Sequence, residues 1–187
     1  GGRHALPYPA LRGACQLNNA STALAALDVL QDKLPVSMDA VRRGLVEVTL
    51  AGRFQVLPGR PQIILDVAHN PQAARTLVQN LAAMPPAGKT LAVFAMLKDK
   101  DMAGVARALK EQVDVWRVAG IDAPRGATAA ELAQVLREER VGGEILVFDT
   151  VAEALLHACN AAAENDRIVA FGSFYTVADV MRSRGLR

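Results

Sequence analysis

From residue 53 to the carboxyl end, short apolar runs alternate with stretches of helical periodicity, and few folds accept that pattern. The runs cover residues 54–57, 63–67, 91–96, 113–118, 145–148 and 168–171. Between them lie helix signals with legible starts. Asn70-Pro71 is an Asn cap followed by proline at the first turn, and the helix it opens should end near Met84, before Pro85-Pro86. Further helices are expected over 101–112, 128–139, 150–163 and 177–184, the second of these with Thr128 and Glu131 spaced as a capping box. Strands and helices at this spacing imply βαβ crossovers and a mainly parallel sheet with helices on both faces. The expected fold class is therefore α/β and Rossmann-like, with about six strands, one for each apolar run. Composition agrees. Half of the residues are apolar (51 %) while only 4 % are aromatic, so the core must be built from Ala, Val and Leu, as where helices cover a parallel sheet.

The first fifty residues do not share the pattern. Leu6-Pro7-Tyr8-Pro9 reads as extended or turn-like, because each proline pushes its predecessor out of the helical region. Asn18 or Asn19 is placed to cap a helix over 20–27 with Leu24, Leu27 and Leu30 on one face, stopped by Pro35. Ser37 or Asp39 is placed to start a second helix carrying Val41, Leu45 and Val48. Such a pair cannot bury a core alone. Residues 1–50 are expected to be a remnant of a domain distinct from residues 51–187, and the chain itself to be a fragment, since no Met opens it.

The balance of 21 basic and 19 acidic residues leaves no basic stripe, which argues against a nucleic-acid or membrane-surface binder. No apolar run approaches the roughly 18 residues needed to span a bilayer. Gly1-Gly2-Arg3-His4 lacks the apolar core of a signal peptide. Cys15 and Cys159 have no metal-like or redox-like spacing, so reduced thiols and a cytoplasmic location are expected.

Functional groups gather where the strands end. Ile63-Ile64-Leu65-Asp66-Val67-Ala68-His69-Asn70-Pro71 takes a buried strand directly into an acid, an imidazole and a helix start. Lys98, Asp99, Lys100 and Asp101 follow the next strand, Asp149 and Thr150 a later one, and Gly172, Ser173, Phe174 and Tyr175 the last. Parallel topology brings these to one sheet edge, the edge where open α/β sheets bind ligands. Neither Gly-x-Gly-x-x-Gly nor Gly-x-x-x-x-Gly-Lys-Ser/Thr occurs, so the common nucleotide grips are absent. On chemistry alone the cluster suits an anionic ligand. Plainer roles compete: Asp66 tying down its turn, His69 bonding structurally, Lys98–Asp101 as a solvated turn, Asn70 and Ser173 as helix caps.

Three stretches carry a resemblance to a known family. Pro9 to Ala20, then Gly52-Arg53-Phe54, then Leu65 to Pro71 resemble the Mur ligase superfamily. Phe94-Ala95-Met96-Leu97-Lys98-Asp99-Lys100-Asp101 and Gly172-Ser173-Phe174-Tyr175-Thr176-Val177 look like its folylpolyglutamate synthase/dihydrofolate synthase branch. The resemblance implies that residues 1–50 end a central ATP-binding domain and that 51–187 form the glutamate-ligase domain, with Gly52 at the hinge. It implies ATP-dependent addition of L-glutamate to dihydropteroate and folate polyglutamates through an acyl phosphate. ATP and Mg2+ would be the cofactors, with the magnesium ligands in the amino-terminal part. The full-length enzyme would be a monomer, and this chain alone would be inactive for want of a phosphate loop.

By matched position, Asn19 would contact the ATP base region, Arg53 the phosphates and Asp66 the ribose. His69 would lie near the reacting phosphate, and Lys98 or Lys100, with Ser173, would meet the incoming glutamate's carboxylates. Two alternatives stand beside this reading. One is the carboxyl-terminal domain of a UDP-MurNAc-peptide Mur ligase, against which the Met-Leu-Lys-Asp-Lys-Asp and Gly-Ser-Phe-Tyr segments speak. The other is a non-catalytic anion- or nucleotide-binding α/β module.

Overall fold

The computed structural model describes residues 5–13 and 15–186; Gly1–His4, on which the leader argument rests, together with Ala14 and Arg187 lie outside them. The chain divides into two compact units, Gly1–Leu50 and Ala51–Arg187.

In the first unit, α1 (Cys15–Val29) and α2 (Met38–Glu47) enclose a largely apolar groove of about 390 Å³, lined among others by Leu24, Leu27, Val41 and Leu45. No described residue of α1 is buried, and α2 buries only Val41. Ser37 caps α2, its hydroxyl accepting from the Ala40 amide at 3.2 Å. The start of α1 corrects the sequence reading. Asn18 and Asn19 lie inside the helix rather than at its cap, because the chain already turns after Gly13, whose φ is 113° and whose carbonyl accepts from the Gln16 amide. Asn19 is exposed and donates from Nδ2 to Gln16 Oε1 at 3.0 Å.

The second unit is a six-stranded sheet in the order β1-β2-β6-β3-β4-β5. β1 (Gln55–Leu57) pairs antiparallel with β2 (Gln62–Asp66). The remaining pairs are parallel: β2 with β6 (Arg167–Phe171), β6 with β3 (Thr90–Phe94), β3 with β4 (Val115–Ala119), and β4 with β5 (Glu144–Phe148). The mainly parallel α/β expectation is borne out. β3 is buried at every position, as a central strand covered on both faces must be.

The helices change faces once. Side chains of α3 (Pro71–Ala82), α4 (Met102–Leu109) and α5 (Ala129–Glu138) share one core with Ile64, Phe94, Trp116 and Phe171. Those of α6 (Val151–Ala161) and α7 (Phe174–Ser183) share the other, with Leu65, Val93 and Ala170. The chain moves outward from β3 to β4 and β5, then returns to insert β6 between β2 and β3. That reversal opens a crevice at the carboxyl ends of these three strands. Their ends are level, since Phe171 pairs with Asp66 on one side and Phe94 on the other.

Local capping chemistry sets where each helix starts. Asn70 accepts from the Ala73 amide at 2.9 Å with Pro71 in the first turn, and Asp101 Oδ1 accepts from Gly104 at 2.8 Å. Thr128 with Glu131, and Thr150 with Glu153, form complete capping boxes. α7 begins earlier than the periodicity predicts. Ser173 caps it and Phe174-Tyr175-Thr176, residues with strand propensity, form its first turn. Buried Thr176 fastens that turn to the sheet by donating to the Ala95 carbonyl at 2.7 Å.

A candidate ligand-binding cleft at the sheet switch point

The residues leading into β1 are bent twice. Gly52 has φ 67° and Phe54 φ 46°, both left-handed, and Phe54 pays strain for it as a bulky residue. Three hydrogen bonds hold this bend: Gly52 N–H to Gln55 Oε1 (3.1 Å), Val67 N–H to the Gly52 carbonyl (2.9 Å), and Phe54 N–H to Asp66 Oδ2 (3.0 Å). Glycine is required at 52, because a Cβ there would lie 2.8 Å from Val67 Cγ1. With Phe54 buried, the bend leaves the Arg53 guanidinium carbon 5.7 Å from the centroid of the Phe174 ring, a cation–π distance.

Asp66 ends β2. Its second oxygen, Oδ1, accepts from the Ala68 amide at 2.8 Å, so the carboxylate ties both the turn after β2 and the bend before β1. Burial pushes this carboxyl above its ordinary value, against the lowering pull of the two amides and of Arg53. His69, half-buried, has Nδ1 2.8 Å from the Val67 carbonyl. A carbonyl only accepts, so Nδ1 carries the hydrogen and Nε2 is left for a ligand. The His69 ring lies 6.3 Å from the ring of Phe174, which thus has both Arg53 and His69 beside it.

His69, Leu97, Lys100, Gly172, Ser173 and Phe174 line a cleft of about 200 Å³. Three strand ends contribute: β2 through His69, β3 through Leu97 and Lys100, β6 through the Gly-Ser-Phe turn. Gly172 has φ 113°, and a Cβ on it would run into the Ala95 carbonyl, so no other residue makes this turn without moving the backbone that follows β3. Ser173 is buried; its Oγ accepts from the Tyr175 amide at 3.1 Å and keeps its own hydrogen to donate. With the first-turn amides of α7 at its side, this end of the cleft favours negative charge.

The candidate residues therefore separate. Asp66 and Arg53 share one lip, while His69, Lys100 and Ser173 line the cleft beside it. Lys98 does not line it: the side chain is exposed, and the carboxyl it helps to hold below its ordinary pKa is that of Glu131, the capping-box partner of Thr128, whose own contacts with Glu131 act more strongly. Asn19 belongs to the other unit. Asp149 is exposed at the end of edge strand β5, and Thr150 is a cap. Two strand-end residues take roles that sequence reasoning does not assign to them. Phe174 is 57 % exposed where a core residue would be hidden, and its only sequence signal is an aromatic directly after a strand-end serine. Asp99 joins Lys100 to Arg125 across two loops, a pairing that no local pattern encodes.

Residues 52–174 match the family model of the Mur ligase glutamate ligase domain. The chain belongs to this family. The resemblance read from the sequence is borne out, and so is its folate branch. The chain is 45 % identical over 163 residues to the dihydrofolate synthase/folylpolyglutamate synthase of Escherichia coli K12, covering 87 % of this chain and 37 % of that protein. The structure superposes on E. coli FolC in complex with DHPP and ADP with a TM-score of 0.85 at 42 % identity, over 97 % of this chain and 41 % of that one. It also superposes on a bifunctional folylpolyglutamate synthase/dihydrofolate synthase with Mn, AMPPNP and L-glutamate bound, with a TM-score of 0.84 at 44 % identity, over 97 % and 42 %. This Mur ligase domain chain thus spans about two fifths of the length of the relatives it matches. Among the described residues no helix is long and apolar enough to cross a membrane.

Proposed function

We propose that this chain is the carboxyl-terminal part of a cytoplasmic, monomeric ATP-dependent ligase that adds L-glutamate to dihydropteroate and to folate polyglutamates. The observation that carries the reading is the cleft at the switch point, where His69, Lys100 and Ser173 converge in a chain 45 % identical to a dihydrofolate synthase/folylpolyglutamate synthase. Residues 1–50 would close the ATP-binding domain of that enzyme, which accounts for two helices that bury almost nothing.

The reaction needs charge neutralisation and positioning more than a side-chain nucleophile. A carboxylate oxygen of the folate substrate attacks the γ-phosphorus of ATP and ADP leaves. The glutamate amine then attacks the acyl carbon of the resulting acyl phosphate, the amide forms, and phosphate departs. Asp66 on the lip accepts from the ribose hydroxyls, using lone pairs that its two amide contacts leave free. Arg53, held over Phe174, presents its planar fork to the phosphates. His69 meets the reacting phosphate through Nε2, and Asn19 contacts the base. Lys100 and Ser173 receive the glutamate carboxylates; Lys98 is set aside because it stands outside the cleft.

Magnesium chemistry would shield the phosphates during transfer. Among the described residues no group of three or more His, Cys, Asp or Glu converges on a metal position, so its ligands would come from the rest of the longer enzyme. The same division makes this chain inactive alone. Steady-state kinetics of the full-length ligase test the assignment crosswise. Arg53→Ala should raise KM for ATP and leave KM for glutamate unchanged, and Lys100→Met should do the reverse. Equal effects of both substitutions on both constants would contradict two separate subsites.

A further inference from the structure

Lys100 poses a physical problem for the cleft it lines. Its four-carbon stem is flexible, and holding the ammonium in one place forfeits that rotamer entropy. A wandering ammonium makes a poor fixed partner for a carboxylate. The structure supplies a restraint. Asp99 Oδ2 lies 3.6 Å from Lys100 Nζ and accepts a 2.9 Å hydrogen bond from Arg125 Nη1.

Arg125 belongs to the loop between β4 and α5, and that loop is itself fixed. Lys98 N–H donates to the Arg125 carbonyl at 2.8 Å, Ala127 N–H donates to Met96 at 3.0 Å, and Leu97 pairs with Gly126 in an isolated bridge. Gly126 is packed so closely that a Cβ would overlap the Ile121 carbonyl. The anchor is therefore rigid. It reaches the cleft through one side chain at each step.

We propose that Asp99 and Arg125 are positioning residues, a clamp in which Arg125 fixes Asp99 and Asp99 fixes the Lys100 ammonium at the cleft for the carboxylate of the incoming amino acid. This deepens the reading of Lys100 given above and rests on it. An isolated exposed ion pair would do little, since such pairs contribute near zero to stability. The clamp acts instead on where one charge is found. Asp99 holds its proton less tightly than an ordinary aspartate: desolvation is the largest single influence and works against this, but Arg125, Lys100 and the hydrogen bonds to the carboxylate together outweigh it, so the anion the clamp needs is present at neutral pH.

The test exploits charge sign. Asp99→Asn removes a negative charge beside the cleft, whereas Arg125→Gln removes a positive one. A simple field effect on an anionic amino acid would lower KM for glutamate in the first variant and raise it in the second. The clamp predicts a rise in both, about 5- to 10-fold, as expected for loosening one charge-assisted contact. KM for ATP and kcat at saturating glutamate should stay unchanged, and Arg125→Lys should recover part of the loss. All are measured in the full-length ligase, with thermal melts to confirm folding.

Lys100→Met separates the two layers of the argument. If it leaves KM for glutamate unchanged, the reading of Lys100 fails. If it raises that constant while Asp99→Asn and Arg125→Gln move it in opposite directions or not at all, the clamp alone is overturned. A rise in both ATP and glutamate KM with lowered melting temperature would mark Asp99 as merely structural, and would also overturn the clamp.

Discussion

The amide of Phe54, a buried residue held at φ 46°, donates to Oδ2 of Asp66 at 3.0 Å, twelve positions along the chain. This bond joins the strained bend that presents Arg53 to the strand end that presents the acid, so the two proposed nucleotide contacts move as one piece. Asp66→Ala should leave the Phe54 and Ala68 amides without an acceptor and cost about 2 kcal/mol, with Phe54 relaxing out of the left-handed region. Urea unfolding of the single-tryptophan chain measures this directly. A loss within the scatter of surface substitutions would mean that the bend holds itself.

The same group gives a pH dependence. Burial raises the Asp66 carboxyl, so the folded chain binds that proton more tightly than the unfolded chain does. The stability it contributes is complete below the ordinary value of 3.8 and is lost as pH rises through the higher folded value. Asp66→Asn does not titrate. Melts of both proteins from about pH 4 to 7 should therefore show the variant gaining on the wild type as pH rises. A gap that widens with pH would mean that the amides and Arg53 outweigh burial.

Gly172 is the least replaceable residue of the cleft. Alanine at this position meets the Ala95 carbonyl and must hold φ 113°. Strain and overpacking together should cost about 3 kcal/mol and displace Ser173 and the start of α7. Gly44, around which a Cβ would find open space, is the control, and Gly44→Ala should be neutral or slightly stabilising because it sits within α2. Equal melting temperatures for the two variants would contradict this account of the turn.

Phe174 is predicted to act through Arg53. Phe174→Leu keeps most of the apolar volume but removes the ring face, and should raise KM for ATP about 2- to 5-fold, the scale of an exposed cation–π contact. Phe174→Tyr should be silent. Combined with Arg53→Ala, the leucine substitution should add nothing further, whereas additive effects would show that Phe174 contacts the nucleotide independently.

Most of the fold is legible in the sequence, because each signal there is local. Asn70-Pro71 and Thr128 with Glu131 announce helices through caps that involve only neighbouring residues, and the strands are short, largely apolar stretches, with β4 interrupted by Arg117. The failures are also physical. At α1, Asn18 and Asn19 look like caps, but a left-handed glycine upstream has already started the turn. At α7, the strand propensity of Phe174-Tyr175-Thr176 hides a first turn that Ser173 and the Thr176–Ala95 hydrogen bond enforce. The strand ends were readable as one ligand edge, since parallel topology alone places them there. Spacing cannot tell Lys98 from Lys100, however. Only the path of the loop after β3 sends one to the cleft and the other towards Glu131. Phe174 under Arg53 and the Asp99–Arg125 pair are contacts between distant segments, invisible to any local pattern.

In the proposed function this Mur ligase domain supplies one side of a glutamate-adding active site and cannot complete the reaction alone. The most direct measurement is ATP-dependent incorporation of labelled L-glutamate into dihydropteroate, run in parallel with the full-length ligase and with this chain by itself. The expected result is turnover by the full-length ligase, abolished or severely reduced by Lys100→Met at limiting glutamate, and none by the isolated chain. Turnover by the isolated chain, or a folded full-length protein that incorporates no glutamate, would contradict it.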